Sequence, residues 1–127
     1  MKIVISNHSG TPIYEQIKDQ IKEAILAGEL KPDDMLPSIR QLARDLKISV
    51  ITTTRAYNDL EEEGFIVSVQ GKGSFVLPQS KEMVRENALR KVEKGLWDAI
   101  VAAKAGRISK NEVMQMLKVL YEEDEHE

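Results

Sequence analysis

Between Ser38 and Asn58 the chain carries Arg40, Arg44, Lys47 and Arg55 against Asp45 alone, a local surplus of three positive charges. The whole protein, with 18 basic and 21 acidic side chains, stands at −3. Guanidinium groups gathered in so short a stretch suit charge-assisted hydrogen bonds to phosphate, or a bidentate bond to the edge of a guanine. A further lysine stands in Gly71-Lys72-Gly73, where the glycines let a backbone approach a sugar-phosphate strand. Phosphate contact depends on charge within a Debye length, about 8 Å in physiological salt, so the local surplus matters more than the acidic total.

Other chemistry finds no constellation. Gly71-Lys72-Gly73 lacks the spacing of a nucleotide-binding P-loop. Asp33 and Asp34 are adjacent, but no His, Cys or third carboxylate joins them at ligand spacing, so they read as a solvated turn. His8 falls in a turn and His126 in an acidic tail. No nucleophile meets a base, so no catalytic residue, metal ligand or cofactor site is assigned.

The basic side chains need elements that hold them outward. Ser49–Gly64 reads as one helix, with Ser49 to cap its start and Gly64 as the left-handed residue at its end. At about 100° per residue Thr53, Ala56, Tyr57 and Leu60 share a packing side, while Ile51, Arg55, Asn58 and Glu62 share the other with Thr54 beside them. Upstream, Ser38-Ile39-Arg40-Gln41 fits a capping box and opens a helix to Leu46 that buries Ile39, Leu42, Ala43 and Leu46. Arg40 in its first turn opposes the helix dipole, a placement that suits an external anion such as a phosphate and, judged alone, equally a side chain that simply faces solvent. Only Lys47-Ile48 separates the two helices, which predicts a helix-turn-helix with its second helix offered to a major groove. After Gly64 the period changes to two, and Phe65–Val69 with Ser74–Leu77 predict a hairpin wing tipped by Gln70, Gly71 and Lys72.

The remaining elements read as support. Ile3-Val4-Ile5 predicts an extended arm before a turn. Thr11 as cap and Pro12 at the first helical position open a packing helix that stops at Gly28. Its Ile13, Ile17, Ile21, Ala24 and Ile25 face inward, and Glu15, Lys18, Asp19, Lys22 and Glu23 form a solvated flank. Met35-Leu36 is expected to return to the core. Beyond Pro78 a long helix runs from Lys81 to about Lys104, and a second capping box, Ser109-Lys110-Asn111-Glu112, opens a last one before the frayed acidic tail EEDEHE. Two helices are too few to enclose a core. Their apolar stripes must bury against the first 78 residues, against a second copy, or both, and the economical answer is a homodimer through Leu89, Val92, Leu96, Trp97, Ile100, Val113, Leu117 and Leu120. The expected fold is mainly α (α+β): a winged helix-turn-helix in residues 1–78 and a two-helix dimerisation hairpin in residues 79–127.

A hydrophobic fraction of 42% suits a soluble fold, and the lack of cysteine excludes disulfides and thiolate chemistry. The N-terminal apolar run is too short for a signal peptide, and no run approaches the roughly 20 residues of a membrane span, so a cytoplasmic location is expected. The acidic total and Glu61-Glu62-Glu63 leave one other class open, a winged-helix module that docks on protein and not on DNA.

Pro12–Ile17 (PIYEQI), the segment from Ala27-Gly28-Glu29-Leu30 to Leu36–Ala43 (LPSIRQLA), Arg55–Ile66 (RAYNDLEEEGFI) and Gln70–Val76 (QGKGSFV) resemble the GntR family of bacterial transcription factors. The LPSIR form, the Ala56-Tyr57 pair and GKGSFV, followed by a short helical C-terminal part, resemble its YtrA-type subfamily. The resemblance implies double-stranded DNA as partner, an inverted-repeat operator bound by a homodimer, and repression, in this subfamily often of operons for ATP-driven transporters. The DNA-contacting residues it implies are Arg40, Ser49, Val50, Ile51, Thr52, Thr54, Arg55, Gln70, Gly71 and Lys72. The wider family often carries Arg where Val50 stands and Gly where Lys47 stands, which makes Arg55 the first choice for a base contact. No small-molecule effector is named by the sequence, and Trp97 and Tyr121 mark where one could lodge.

Overall fold

The computed structural model describes residues 1–125. Its elements are α1 (Ile13–Leu26), α2 (Ile39–Leu46), α3 (Val50–Glu62), β1 (Ile66–Val69), β2 (Gly73–Val76), α4 (Lys81–Ala105) and α5 (Lys110–Glu125). Contacts divide the chain into two units, Met1–Arg85 and the part from Glu86 onward.

In the first unit Ile17 and Ile21 of α1, Leu42 of α2, and Ala56, Tyr57 and Leu60 of α3 meet Leu36, Phe65, Ile66 and Val76 in one buried cluster. Each of its larger aliphatic side chains contributes about 1.5–3 kcal/mol by leaving water. Thr53, the buried polar residue among those described, donates its hydroxyl to the Ser49 carbonyl at 3.1 Å. The Tyr57 hydroxyl donates to the Pro37 carbonyl at 2.6 Å and ties α3 to the segment leading into α2. Burial raises the pKa of that phenol, so it remains a donor throughout the physiological range.

The helix-turn-helix forms as its caps predict, with one difference. Ser38 accepts from the Gln41 N–H at 3.1 Å and Ser49 from the Thr52 N–H at 3.0 Å. The Gln41 side chain turns to Asp45 at 2.7 Å instead of back to Ser38, so this capping box is half formed. Lys47 closes α2 in the left-handed region at φ 56°, and Ile48 N–H reaches the Ala43 carbonyl at 3.0 Å. A non-glycine residue there costs roughly 1–2 kcal/mol.

Two expectations around α1 and α2 are corrected. Thr11 does not cap α1: Pro12 occupies the N-cap, with no side-chain bond. The first turn is instead fixed by Gln16, whose amide donates to the carbonyls of Thr11 and Ser6 and accepts from Ser6 N–H. Gln20 pairs in the same way with Val4. Four helical residues rise about 6.0 Å and two extended ones about 6.6 Å, so two glutamines one turn apart match alternate residues of the arm. Met35 is exposed and only Leu36 is buried, because Met35 forms an antiparallel bridge with Phe75 and lies along the sheet edge. Asp33 and Asp34 make the expected turn, in which Asp34 accepts from Lys31 N–H at 2.8 Å.

β1 and β2 pair antiparallel from Ile66↔Val76 to Val69↔Gly73. In the second unit α4 ends through Arg107 at φ 56°, with Ile108 N–H bonded to the Ala103 carbonyl at 2.8 Å. Here the capping box is reciprocal: Glu112 N–H to Ser109 Oγ at 3.1 Å, Ser109 N–H to Glu112 Oε2 at 3.3 Å. α5 continues to Glu125, so the acidic end is helical through most of the segment read as frayed. His126 lies outside the described residues.

Tyr57→Phe leaves the Pro37 carbonyl without its buried donor. We expect a loss of about 1–2 kcal/mol in urea-induced unfolding at an unchanged m-value. Unaltered stability would show that the bond contributes nothing net.

Candidate nucleic-acid interface

Burial of Thr53, Ala56, Tyr57 and Leu60 decides which way the rest of α3 faces. Ile51 is 83% exposed and Val50 45%, both in the first turn, with Arg55 and Asn58 exposed farther along and Thr52 and Thr54 half-buried. The Ser49 hydroxyl serves the cap and donates to Thr52 Oγ1 at 2.8 Å, so these two predicted contacts form one local pair. Arg55 is exposed but not loose. Its guanidinium carbon lies 3.7 Å from the centroid of the Tyr14 ring on α1.

On α2, Arg40 is exposed and Arg44 donates to Gln41 at 3.3 Å. Lys47, in the joint, is exposed as well. The wing tip is a tight turn in which Lys72 N–H meets the Val69 carbonyl at 2.9 Å and Gly71 takes φ 79°. A glycine is needed at that third position of the turn. Gly73, at φ 126°, takes a backbone conformation that side chains rarely adopt, and an added Cβ would stand 3.3 Å from Met35 Sδ, so the methionine would have to give slightly. Gln70, Gly71 and Lys72 are all exposed.

The acidic end of α3 is tied internally, which corrects the solvated flank read for α1. Lys22 bonds Glu63 at 3.1 Å, and Lys18 lies 3.3 Å from Glu63 and 3.9 Å from Asp59. Glu61 Oε1 accepts from Ser68 N–H at 2.9 Å, which satisfies a donor of β1. Burial acts to raise the Glu63 pKa, but the hydrogen bonds and charges of Lys22 and Lys18 outweigh it and leave the value below normal. Burial likewise pulls Lys18 down, and Glu63 with Asp59 more than offsets it, leaving the value raised. Glu61 and Glu63 are thus engaged within the unit, and all three glutamates of the run remain exposed. A signal was available in the sequence: Lys18 and Lys22 repeat at the same four-residue spacing as Asp59 and Glu63.

In the second unit Leu89, Val92, Leu96, Trp97, Ile100, Leu117 and Leu120 are exposed and Val113 is half-buried, with Trp97 and Leu120 each 60% open. A groove of about 280 Å³ runs between Leu96, Ala99, Ala103, Ile108, Met116 and Leu120, and neither Trp97 nor Tyr121 lines it. Among the described residues no helix is long and apolar enough to cross a membrane.

Residues 13–76 match the gntR family of bacterial regulatory proteins. Over 116 residues the chain is 34% identical to the HTH-type transcriptional repressor YtrA of Bacillus subtilis (strain 168), covering 91% of this chain and 89% of that protein. Among solved structures it is similar to YtrA from Sulfolobus acidocaldarius, a GntR-family transcription factor, with a TM-score of 0.57 and 42% identity over 95% of this chain and 97% of that one. It is also similar to AraR(DBD) in complex with operator ORX1, with a TM-score of 0.53 and 30% identity over 60% of this chain and 95% of that one.

The lowered pKa of Glu63 makes its stabilisation complete above the unfolded carboxylate range and lost as pH falls through the folded value. Glu63→Gln should therefore destabilise near neutrality, by about 0.5–1 kcal/mol for partly screened pairs, with the difference closing in acid. Thermal melts across pH check this. A gap that does not change with pH would contradict it.

Proposed function

Because the chain belongs to the gntR family of bacterial regulatory proteins, and is accordingly a DNA-binding transcriptional regulator and not an enzyme, we propose that it acts as a repressor that occupies an inverted-repeat operator as a homodimer. The observation that carries this is the outer face of α3, where Val50 and Ile51 stand in solvent one turn before Arg55 while the opposite face is sealed. Thymine methyls suit such aliphatic groups and a guanine edge suits the guanidinium. Arg55 is assigned the principal base contact. Ser49, Thr52 and Thr54 line the same approach, and Arg40 with Gln70, Gly71 and Lys72 is assigned to the sugar-phosphate backbone.

Residues 79–127 are assigned to dimerisation. The stripe Leu89, Val92, Leu96, Trp97, Ile100, Val113, Leu117 and Leu120, exposed at every position but the half-buried Val113, forms a large apolar surface, and a two-fold axis would cover it with its own copy. Two α3 helices spaced by one turn of duplex, about 34 Å, would read the two half-sites. The target genes proposed are those of an ATP-driven transporter, as the subfamily resemblance implies, and the site of action is the cytoplasm.

On a duplex carrying the native promoter, Arg55→Ala is expected to cost roughly 1–3 kcal/mol and relax sequence preference. Arg40→Ala or Lys72→Ala should weaken all sequences and lower the salt slope by about one per half-site. Anisotropy titrations at several salt concentrations measure both, and three unaffected variants would refute the assignment. Sedimentation of the full chain tests the dimer: Leu117→Glu combined with Leu120→Glu should yield a helical monomer at concentrations where the parent protein is dimeric. A parent protein that sediments as a monomer would sink the hairpin assignment.

A further inference from the structure

We propose that Tyr14 is a positioning residue for Arg55: its ring holds the guanidinium on α3 at a fixed place and angle, ready for a base edge. The inference rests on the operator reading above and adds to it a residue from α1.

The 3.7 Å separation between the guanidinium carbon and the ring centroid is well inside the range of a cation–π contact. A stacked guanidinium presents its flat face to the ring and keeps its N–H groups in the outer plane, where bidentate recognition needs them. The ring itself is anchored. Tyr14 packs against the buried cluster, and the turn of α1 that carries it is pinned through Gln16 to Thr11 and Ser6. Competition from acids is absent as well. Asp59, one turn beyond Arg55 on the same helix, is engaged by Lys18, and Arg55 makes no ion pair among the described residues. A long, rotamer-rich side chain at a water-exposed position is thereby ordered before DNA arrives, which reduces the ordering left for binding.

The contact should be visible in the free full-length protein. Arg55 side-chain protons should be shifted upfield by the ring current, a shift that Tyr14→Phe retains and Tyr14→Leu loses. For binding, two probes serve: a duplex enriched by the parent protein from a randomised pool, and a shuffled duplex of the same composition. Tyr14→Leu is expected to weaken the enriched duplex roughly two- to fivefold per half-site, leave the shuffled one unchanged, and add nothing in an Arg55→Ala background. Tyr14→Phe should bind as the parent does. An unshifted Arg55 spectrum, equal losses on both duplexes, or the same loss with and without Arg55 would overturn the proposal. Failure to enrich any duplex, or indifference of the enriched duplex to Arg55→Ala, would overturn the operator reading beneath it.

Discussion

Thr53, Ala56, Tyr57 and Leu60 lie along one side of α3 and are withdrawn almost completely from water, and this withdrawal sets the direction of every other side chain on the helix. A helix anchored by four buried residues on one face has no rotational freedom. Tyr57 adds a polar tether to that packing, because its hydroxyl bonds the Pro37 carbonyl and couples α3 to the start of α2. Val50, Ile51 and Arg55 are consequently held outward by the core behind them.

Charge is distributed in keeping with that geometry. A chain at −3 is a poor ligand for a polyanion if its acids lie loose on the same surface. Here Asp59 and Glu63 are drawn to Lys18 and Lys22, and Glu61 to a backbone N–H of β1, all at the C-terminal end of α3. The N-terminal turns of that helix, by contrast, are free of acids: the first acidic residue after Asp45 is Asp59. The ion pairs also join α1 to the end of α3, and the Glu61 hydrogen bond joins α3 to β1, so the groups that engage the acids are also structural ties.

The hairpin from Glu86 onward poses the opposite problem. Ala103 is its buried residue among those described, while leucines, valines and a tryptophan stay exposed. Reciprocal capping by Ser109 and Glu112 and the left-handed Arg107 define where α4 ends and α5 begins. Local bonds of this kind shape a hairpin without giving it an interior, since two helices have only one shared face to hide.

Sequence alone determined the elements and their sides. Helical spacing, Ser38, Ser49 and Ser109 as caps, Gly64 as a stop and the change of period after it all act within a few residues, and such short-range terms can be read from neighbours in the chain. It also separated the buried from the exposed face of α3. What it left undecided were contacts between residues far apart in the chain: Tyr14 under Arg55, Lys18 and Lys22 against Glu63, Gln16 and Gln20 clasping the arm, and Met35 on the sheet edge. Those depend on how α1 and α3 pack and on where a loop runs beside a strand. A side chain that looks solvated on its own helix acquires a partner only when a second helix is laid against it, and that is a property of the tertiary structure.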